Sequence, residues 1–163
     1  MMNVRVMREE DLSQVLSIYN EGIEDRIATL EEDVKDLPYI KEWLYHRNDR
    51  YEVIVAEKDG EIVGWASLNP YSHRCAYNGV ADVSVYIQRE SRGKGIGKAL
   101  LHTLEIIAKK NKFHKLVLST FPFNEAGQKL YRGLGFREVG VFYEQGILDN
   151  KHVDVMVMEK ILN

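Results

Sequence analysis

Between Ala81 and Ile87 apolar and polar side chains alternate, which assigns Val83, Val85 and Ile87 to one face of a strand and Asp82, Ser84 and Tyr86 to the other. The period then changes. Past the glycine-rich segment Arg92-Gly93-Lys94-Gly95-Ile96-Gly97, the apolar stretch from Ile96 to Ala108 repeats at helical spacing, with Ile96, Leu100, Leu104 and Ile107 on one side. Lys115 to Thr120 reads as the next strand, so strand, glycine bend, helix and strand make one βαβ unit with a parallel pair.

Upstream, Asn3 to Met7 is a short strand, and Glu10-Asp11 opens a helix on which Leu12, Val15, Leu16 and Tyr19 recur at helical spacing. A second helix starts near Asp36-Leu37-Pro38, with Ile40, Trp43 and Leu44 facing inward. Tyr51 to Glu57 and Glu61 to Leu68 flank Asp59-Gly60, a hairpin signal. Downstream, Asn124 caps a helix carrying Leu130, Tyr131 and Leu134, and Gly135 stands where a left-handed helix end is wanted. Two late strands, Arg137 to Tyr143 and Asp154 to Glu159, are joined through Gly146 and Asp149-Asn150. The pattern predicts one α+β domain over residues 1–163, a mixed and mostly antiparallel seven-stranded sheet with about four helices on two faces.

A strand that turns through glycines into a helix leaves unpaired backbone N–H groups at a helix N-terminus, where they can hold a diphosphate. Spacing narrows the ligand. Glycines at 93, 95 and 97 do not match the dinucleotide fingerprint, and the pair Lys98-Ala99 does not match a P-loop, whose lysine is followed by Ser or Thr. What remains is Arg-x-x-Gly-x-Gly, with a simple glycine-rich connection as the bland alternative.

Composition narrows the class further. Length fits a single domain with a real core. A net charge of −3 argues against general nucleic-acid binding, and the single cysteine, Cys75, has no internal disulfide partner. No window is apolar enough to span a bilayer and the start lacks a signal-peptide pattern, so a cytoplasmic location and no membrane partner are expected. The five histidines show no paired metal spacing, and no metal site is expected.

The glycine hexapeptide preceded by Val85-Tyr86-Ile87 resembles the acyl-CoA loop of the GCN5-related N-acetyltransferases. The resemblance covers nearly the whole chain and sharpens to the phosphinothricin acetyltransferase-like branch. It is carried by Ile18-Tyr19-Asn20, Ala28-Thr29, Arg74-Cys75-Ala76-Tyr77, Asp82 to Ile87, Asn124, Leu130-Tyr131, Gly135-Phe136 and Asp154. It implies the fold of that superfamily, acetyl-CoA as cosubstrate, a small amino-acid-like acceptor and a homodimer.

The resemblance also implies roles. Asp82 occupies the position of the family's catalytic Glu. As it is one methylene shorter, it is expected to take the amine proton through a bridging water, with a structural aspartate as the alternative. Tyr131 corresponds to a tyrosine that protonates the leaving thiolate, set against plain packing on a helix face. Backbone groups of Val85, Tyr86 and Ile87 are expected to pair with the pantetheine arm, and the N–H groups of Gly93, Lys94, Gly95, Ile96, Gly97 and Lys98 to hold the pyrophosphate. Arg92 and Lys94 add positive charge, and Asn124 reaches the pantetheine or serves as an N-cap. Arg74 is expected to bind the acceptor carboxylate, unless it is an ordinary loop arginine, and Ala28 and Thr29 to line the acceptor pocket. One departure bears on the acceptor. Valine stands at position 153 where herbicide-detoxifying relatives carry a histidine, which implies weak phosphinothricin turnover and leaves methionine sulfone, methionine sulfoximine or another analogue open. Two further functions stay in view: a CoA-binding module without transfer activity, and a protein N-terminal or lysine acetyltransferase.

Overall fold

The computed structural model describes residues 1–163 and contains the elements that the pattern predicts, several with shifted ends. In chain order they are β1 (Met2–Val6), α1 (Leu12–Glu24), α2 (Leu37–Tyr45), β2 (Val53–Lys58), β3 (Glu61–Pro70), β4 (Val80–Ile87), α3 (Ile96–Lys110), β5 (Lys115–Thr120), α4 (Glu125–Gly133), β6 (Arg137–Leu148) and β7 (Lys151–Ile161). The strands form one seven-stranded sheet in the order β1-β2-β3-β4-β5-β7-β6. Only the β4–β5 pair is parallel.

Local chemistry sets most boundaries. Asp59 and Gly60, at φ 52° and 81°, close the β2–β3 hairpin in two residues. The Asp36 carboxylate accepts from Tyr39 N at 3.0 Å and caps α2, with Pro38 in the first turn, where no donor is needed. Gly135, at φ 95°, follows the end of α4 in the left-handed conformation.

The late hairpin departs from expectation. Asp149 and Asn150 alone make its turn, at φ 51° and 63°, while Gly146 lies inside β6 opposite Val153. Both strands run longer than the pattern indicates because β6 slips register at Glu138/Gly140 and again at Phe142/Gly146. Each slip resets the two-residue alternation from which a strand is read.

Helices cover both faces. On one, Leu100, Leu104 and Ala108 of α3 bury against Ile54, Leu68 and Met158, and α4 adds Leu130 and Tyr131 at the margin. On the other, Val15 and Ile18 of α1 pack on Val53, Val55 and Trp65, with Trp43 of α2 half-buried beside them.

Entry into α1 depends on a buried charge. Asp11 ends a 3-10 turn over Glu9–Asp11 and accepts from Arg5 Nη1 at 2.8 Å, Arg5 Nη2 at 3.0 Å and Arg8 N at 2.8 Å. The Arg5 guanidinium holds the Asp11 carboxyl below the usual carboxylate range even though burial opposes this. Removing Asp11 would take away two of the bonds to the enclosed Arg5 guanidinium and leave it Glu57 Oε1, at 3.3 Å, and Val6 O, at 3.2 Å. Asp11→Ala is therefore expected to destabilise the fold by about 3–5 kcal/mol in urea unfolding. A loss under about 1 kcal/mol would show that the pair behaves like an exposed ion pair.

Candidate active site

Gly93 and Gly95 adopt φ 76° and 83°, a conformation that side-chain-bearing residues rarely take, and Gly95 is the N-cap of α3. The chain thus enters α3 with its amides turned away from the protein. No backbone N–H of residues 93 to 98 donates to another backbone group; the first amide of this region to do so is Ala99 N, to Gly95 O at 3.2 Å. Gly97 is needed for a different reason. A Cβ there would stand 2.9 Å from Leu130 Cδ2, so the end of that leucine side chain would have to shift. Outward-facing donors at the positive end of a helix are suited to an anion.

The basic side chains near this loop divide. Arg92 Nη1 ion-pairs with Asp25 at 2.7 Å, and Arg92 Nε donates to Ile87 O at 3.4 Å. Its charge is therefore compensated, and it ties the loop to the end of α1 instead of adding free positive charge as expected. Asp25 also takes Arg89 Nη2 at 2.9 Å, and these arginines hold its carboxyl below the ordinary range. Lys94 is exposed and does not line the cavity beside the loop, whereas Lys98 does.

Next to the loop the sheet opens. β4 and β5 pair only at Val80↔Lys115, Ala81↔Leu116 and Asp82↔Val117, after which each strand follows its antiparallel neighbour on the far side. Antiparallel pairing alternates, and Gln88 N donates to Val63 O at 2.9 Å. Ser84 and Tyr86 accordingly turn their main-chain groups to β3, and Val83, Val85 and Ile87 turn theirs into the gap. The expectation for Tyr86 is corrected here. Its main chain is taken by Trp65, its register partner on β3, and what it contributes is its ring, stacked on Trp65 with centroids 4.8 Å apart.

A cavity of about 480 Å³ runs from the glycine loop along this gap to Asp82. Ala28 and Thr29, expected at the acceptor, line this cavity from the connection after α1. The Thr29 hydroxyl accepts from Glu31 N at 3.2 Å and lies beside the phenols of Tyr19 and Tyr86. Asn124 borders the cavity but caps α4, accepting from Gly127 N at 3.1 Å and donating to Thr120 Oγ1 at 3.3 Å, so its amide is already engaged. Tyr131 lines the same cavity, and burial pushes its hydroxyl up to about 12, which keeps it a proton donor at neutral pH.

On the opposite side of β4 lies a second cavity of about 560 Å³, walled by Tyr19, Trp43, Trp65 and Tyr86. Asp82, Ser84 and Tyr86 line both cavities, which thus meet along β4. Asp82 is the only acidic residue lining either one. Burial raises its pKa to about 6, and the Asn69 amide opposes that rise.

Arg74 is not brought to this point. It sits on the exposed segment from Tyr71 to Asn78 and lines neither cavity, because a short 3-10 turn over Cys75–Tyr77 carries that segment along the surface. Val153 is half-buried and likewise lines neither cavity. Two lining residues escape the sequence reading. Arg47 is largely enclosed, its guanidinium 4.4 Å from the Trp43 ring centroid, and desolvation lowers its pKa to about 10. Asn69 lies just past the strand predicted over Glu61 to Leu68, and only the β3–β4 register reveals that it stands opposite Asp82.

The sequence profile of the Acetyltransferase (GNAT) family matches residues 15–136. The L-methionine sulfoximine/L-methionine sulfone acetyltransferase of Pseudomonas paraeruginosa is 30% identical over 91% of this chain and 88% of its own length. Among solved structures, a ribosomal-protein-alanine N-acetyltransferase from Brucella melitensis superposes with a TM-score of 0.95 at 35% identity, covering 98% of this chain and 99% of that one. A phosphinothricin acetyltransferase from Sinorhizobium meliloti in complex with AcCoA superposes with a TM-score of 0.93 at 27% identity, covering 99% and 89%. With its seven-stranded sheet, its glycine loop and a profile match over most of its length, the chain belongs to the acetyltransferase (GNAT) family.

Proposed function

We propose that this protein transfers the acetyl group of acetyl-CoA to the amine of a small amino-acid-like acceptor. The observation that carries this reading is that the two cavities meet at Asp82, one of them ending at the free amides of residues 93 to 98. The residues fit the cosubstrate: donors at the α3 N-terminus suit its phosphates, and the open edge of β4 suits an amide-bearing arm added like a strand. Acetyl-CoA supplies the activated thioester.

The chain's own residues supply the rest. An amine with a pKa between those of a terminal amine and a lysine is roughly 99% protonated at neutral pH, so attack needs a proton acceptor. Asp82 takes that proton, directly or through one water, and the freed lone pair then forms the C–N bond. Tyr131 gives its phenolic proton to the departing sulfur as the C–S bond breaks, and regains a proton from the acylated nitrogen, which becomes a neutral amide. The aromatic walls of the second cavity favour an acceptor with an apolar or polarisable side chain, which agrees with the sulfoximine and sulfone acceptors in the Pseudomonas relative's name. A peptide N-terminus is the second reading, favoured by the Brucella neighbour. An amino-acid panel tested against peptides for CoA release separates the two, and release with neither would remove both.

Self-association into a homodimer belongs to the same proposal. Val139, Phe142, Tyr143 and Ile147 are exposed together on the edge strand β6. A cytoplasmic location is consistent with the absence of any helix long and apolar enough to cross a membrane.

Two outcomes are expected. Because the Asp82 pKa is raised, the base form is gained as pH rises through about 6 and lost below it. Expressed per neutral amine, kcat/KM should show this acidic limb. Asp82→Asn should abolish the limb and lower kcat by about 10²–10⁴ while leaving acetyl-CoA affinity unchanged; an unchanged kcat would exclude Asp82 as the base. Tyr131→Phe should lower kcat more than it raises either KM, and an equal effect on kcat and acetyl-CoA binding would assign Tyr131 to packing.

A further inference from the structure

Asn69 has a fixed orientation. Its Oδ1 accepts from Arg47 Nη1 at 3.2 Å and from Ser67 Oγ at 3.1 Å. A guanidinium can only donate, so the amide oxygen must face Arg47 and the Nδ2 must face the other way. There it donates to Ser84 Oγ at 3.0 Å. The β3–β4 register puts Asn69 opposite Asp82 and Ser67 opposite Ser84, so these four side chains share one patch of one sheet face.

Arg47 is equally constrained. Its Nη2 donates to Tyr51 O at 3.1 Å and to Leu68 O, while its Nε is buried without a partner. A cation this enclosed, bonded mainly to neutral oxygens, polarises whatever accepts from it. Here the acceptor is an amide whose other end donates to Ser84 Oγ and whose residue stands directly across the strand pair from Asp82.

We infer that Asn69, oriented and polarised by Arg47, is the positioning residue that holds the Asp82 carboxylate toward the acceptor cavity in its ionised form. This deepens the reading of Asp82 as the base and rests on it. It also accounts for an aspartate serving where a glutamate would reach further: the carboxylate of the shorter side chain is fixed from the neighbouring strand. A purely structural Asn69 would stabilise the β3–β4 pair without acting on the titration of Asp82.

Other groups could affect that titration. Tyr19, Tyr39, His46, Tyr51 and Tyr86 line the acceptor cavity with Asp82 and Arg47, and Tyr131, Lys98 and Arg92 line the cofactor cavity. The test therefore follows Asp82 itself, by carboxyl carbon NMR, alongside kcat/KM against pH. In Asn69→Ala and in the milder Asn69→Ser, the Asp82 titration and the acidic limb should both move up by about one pH unit, with KM for acetyl-CoA unchanged. Arg47→Met should move both in the same direction. If the folded variants titrate as wild type does, the inference is overturned, whatever their kcat. If the wild-type limb survives Asp82→Asn, the reading of Asp82 as the base has failed, and the NMR titration still decides the role of Asn69.

Discussion

The parting of β4 from β5 after three residue pairs is the constraint on which the site depends. Each strand keeps a complete ladder on its outer side, so opening the gap costs the sheet no cooperativity, yet it leaves the main-chain groups of Val83, Val85 and Ile87 without a strand partner. Buried main-chain donors and acceptors need partners. The fold thus presents an unfilled strand edge beside unbonded amides at the α3 N-terminus, and a ligand that is amide-bearing at one end and phosphorylated at the other satisfies both.

The same parting determines where the chemistry can occur. At the last paired position, Asp82, the sheet is still closed, and beyond it Ser84 and Tyr86 border both cavities while Val83, Val85 and Ile87 border only the one along the gap. A group arriving along the gap and one arriving from the aromatic side can meet only along this strand. Partial enclosure makes Asp82 a stronger base than a surface aspartate, but too much enclosure would keep it protonated. Cross-strand contact from Asn69 opposes that tendency.

Much of this is legible in the sequence because it is local. The alternation in β4, the glycines of the loop, the cap at Asp36 and the two-residue turn at Asp59-Gly60 each declare themselves within a few residues. What is not legible depends on register or on distant partners. The slips in β6 hide its length. The alternative reading of Asn124 as an N-cap describes its engaged amide, and Arg92 is neutralised by Asp25 from a separate element. Arg74 resembles a family arginine by position, but its loop carries it to the surface, while the arginine that lines the aromatic-walled cavity, Arg47, lies in a stretch with no motif at all. Composition could not have identified the Arg47–Asn69–Asp82 alignment, since it exists only once β3 and β4 are paired.

The most direct test of the open edge and the free amides is a titration of the ¹⁵N-labelled protein with coenzyme A, followed through its backbone amide resonances. The amides of Gly93 to Lys98 and those of Val85 and Ile87 should shift together along one saturating curve, with the Tyr86 amide moving less because it is bonded to β3. Perturbations confined to other regions, or none at millimolar ligand, would contradict the account.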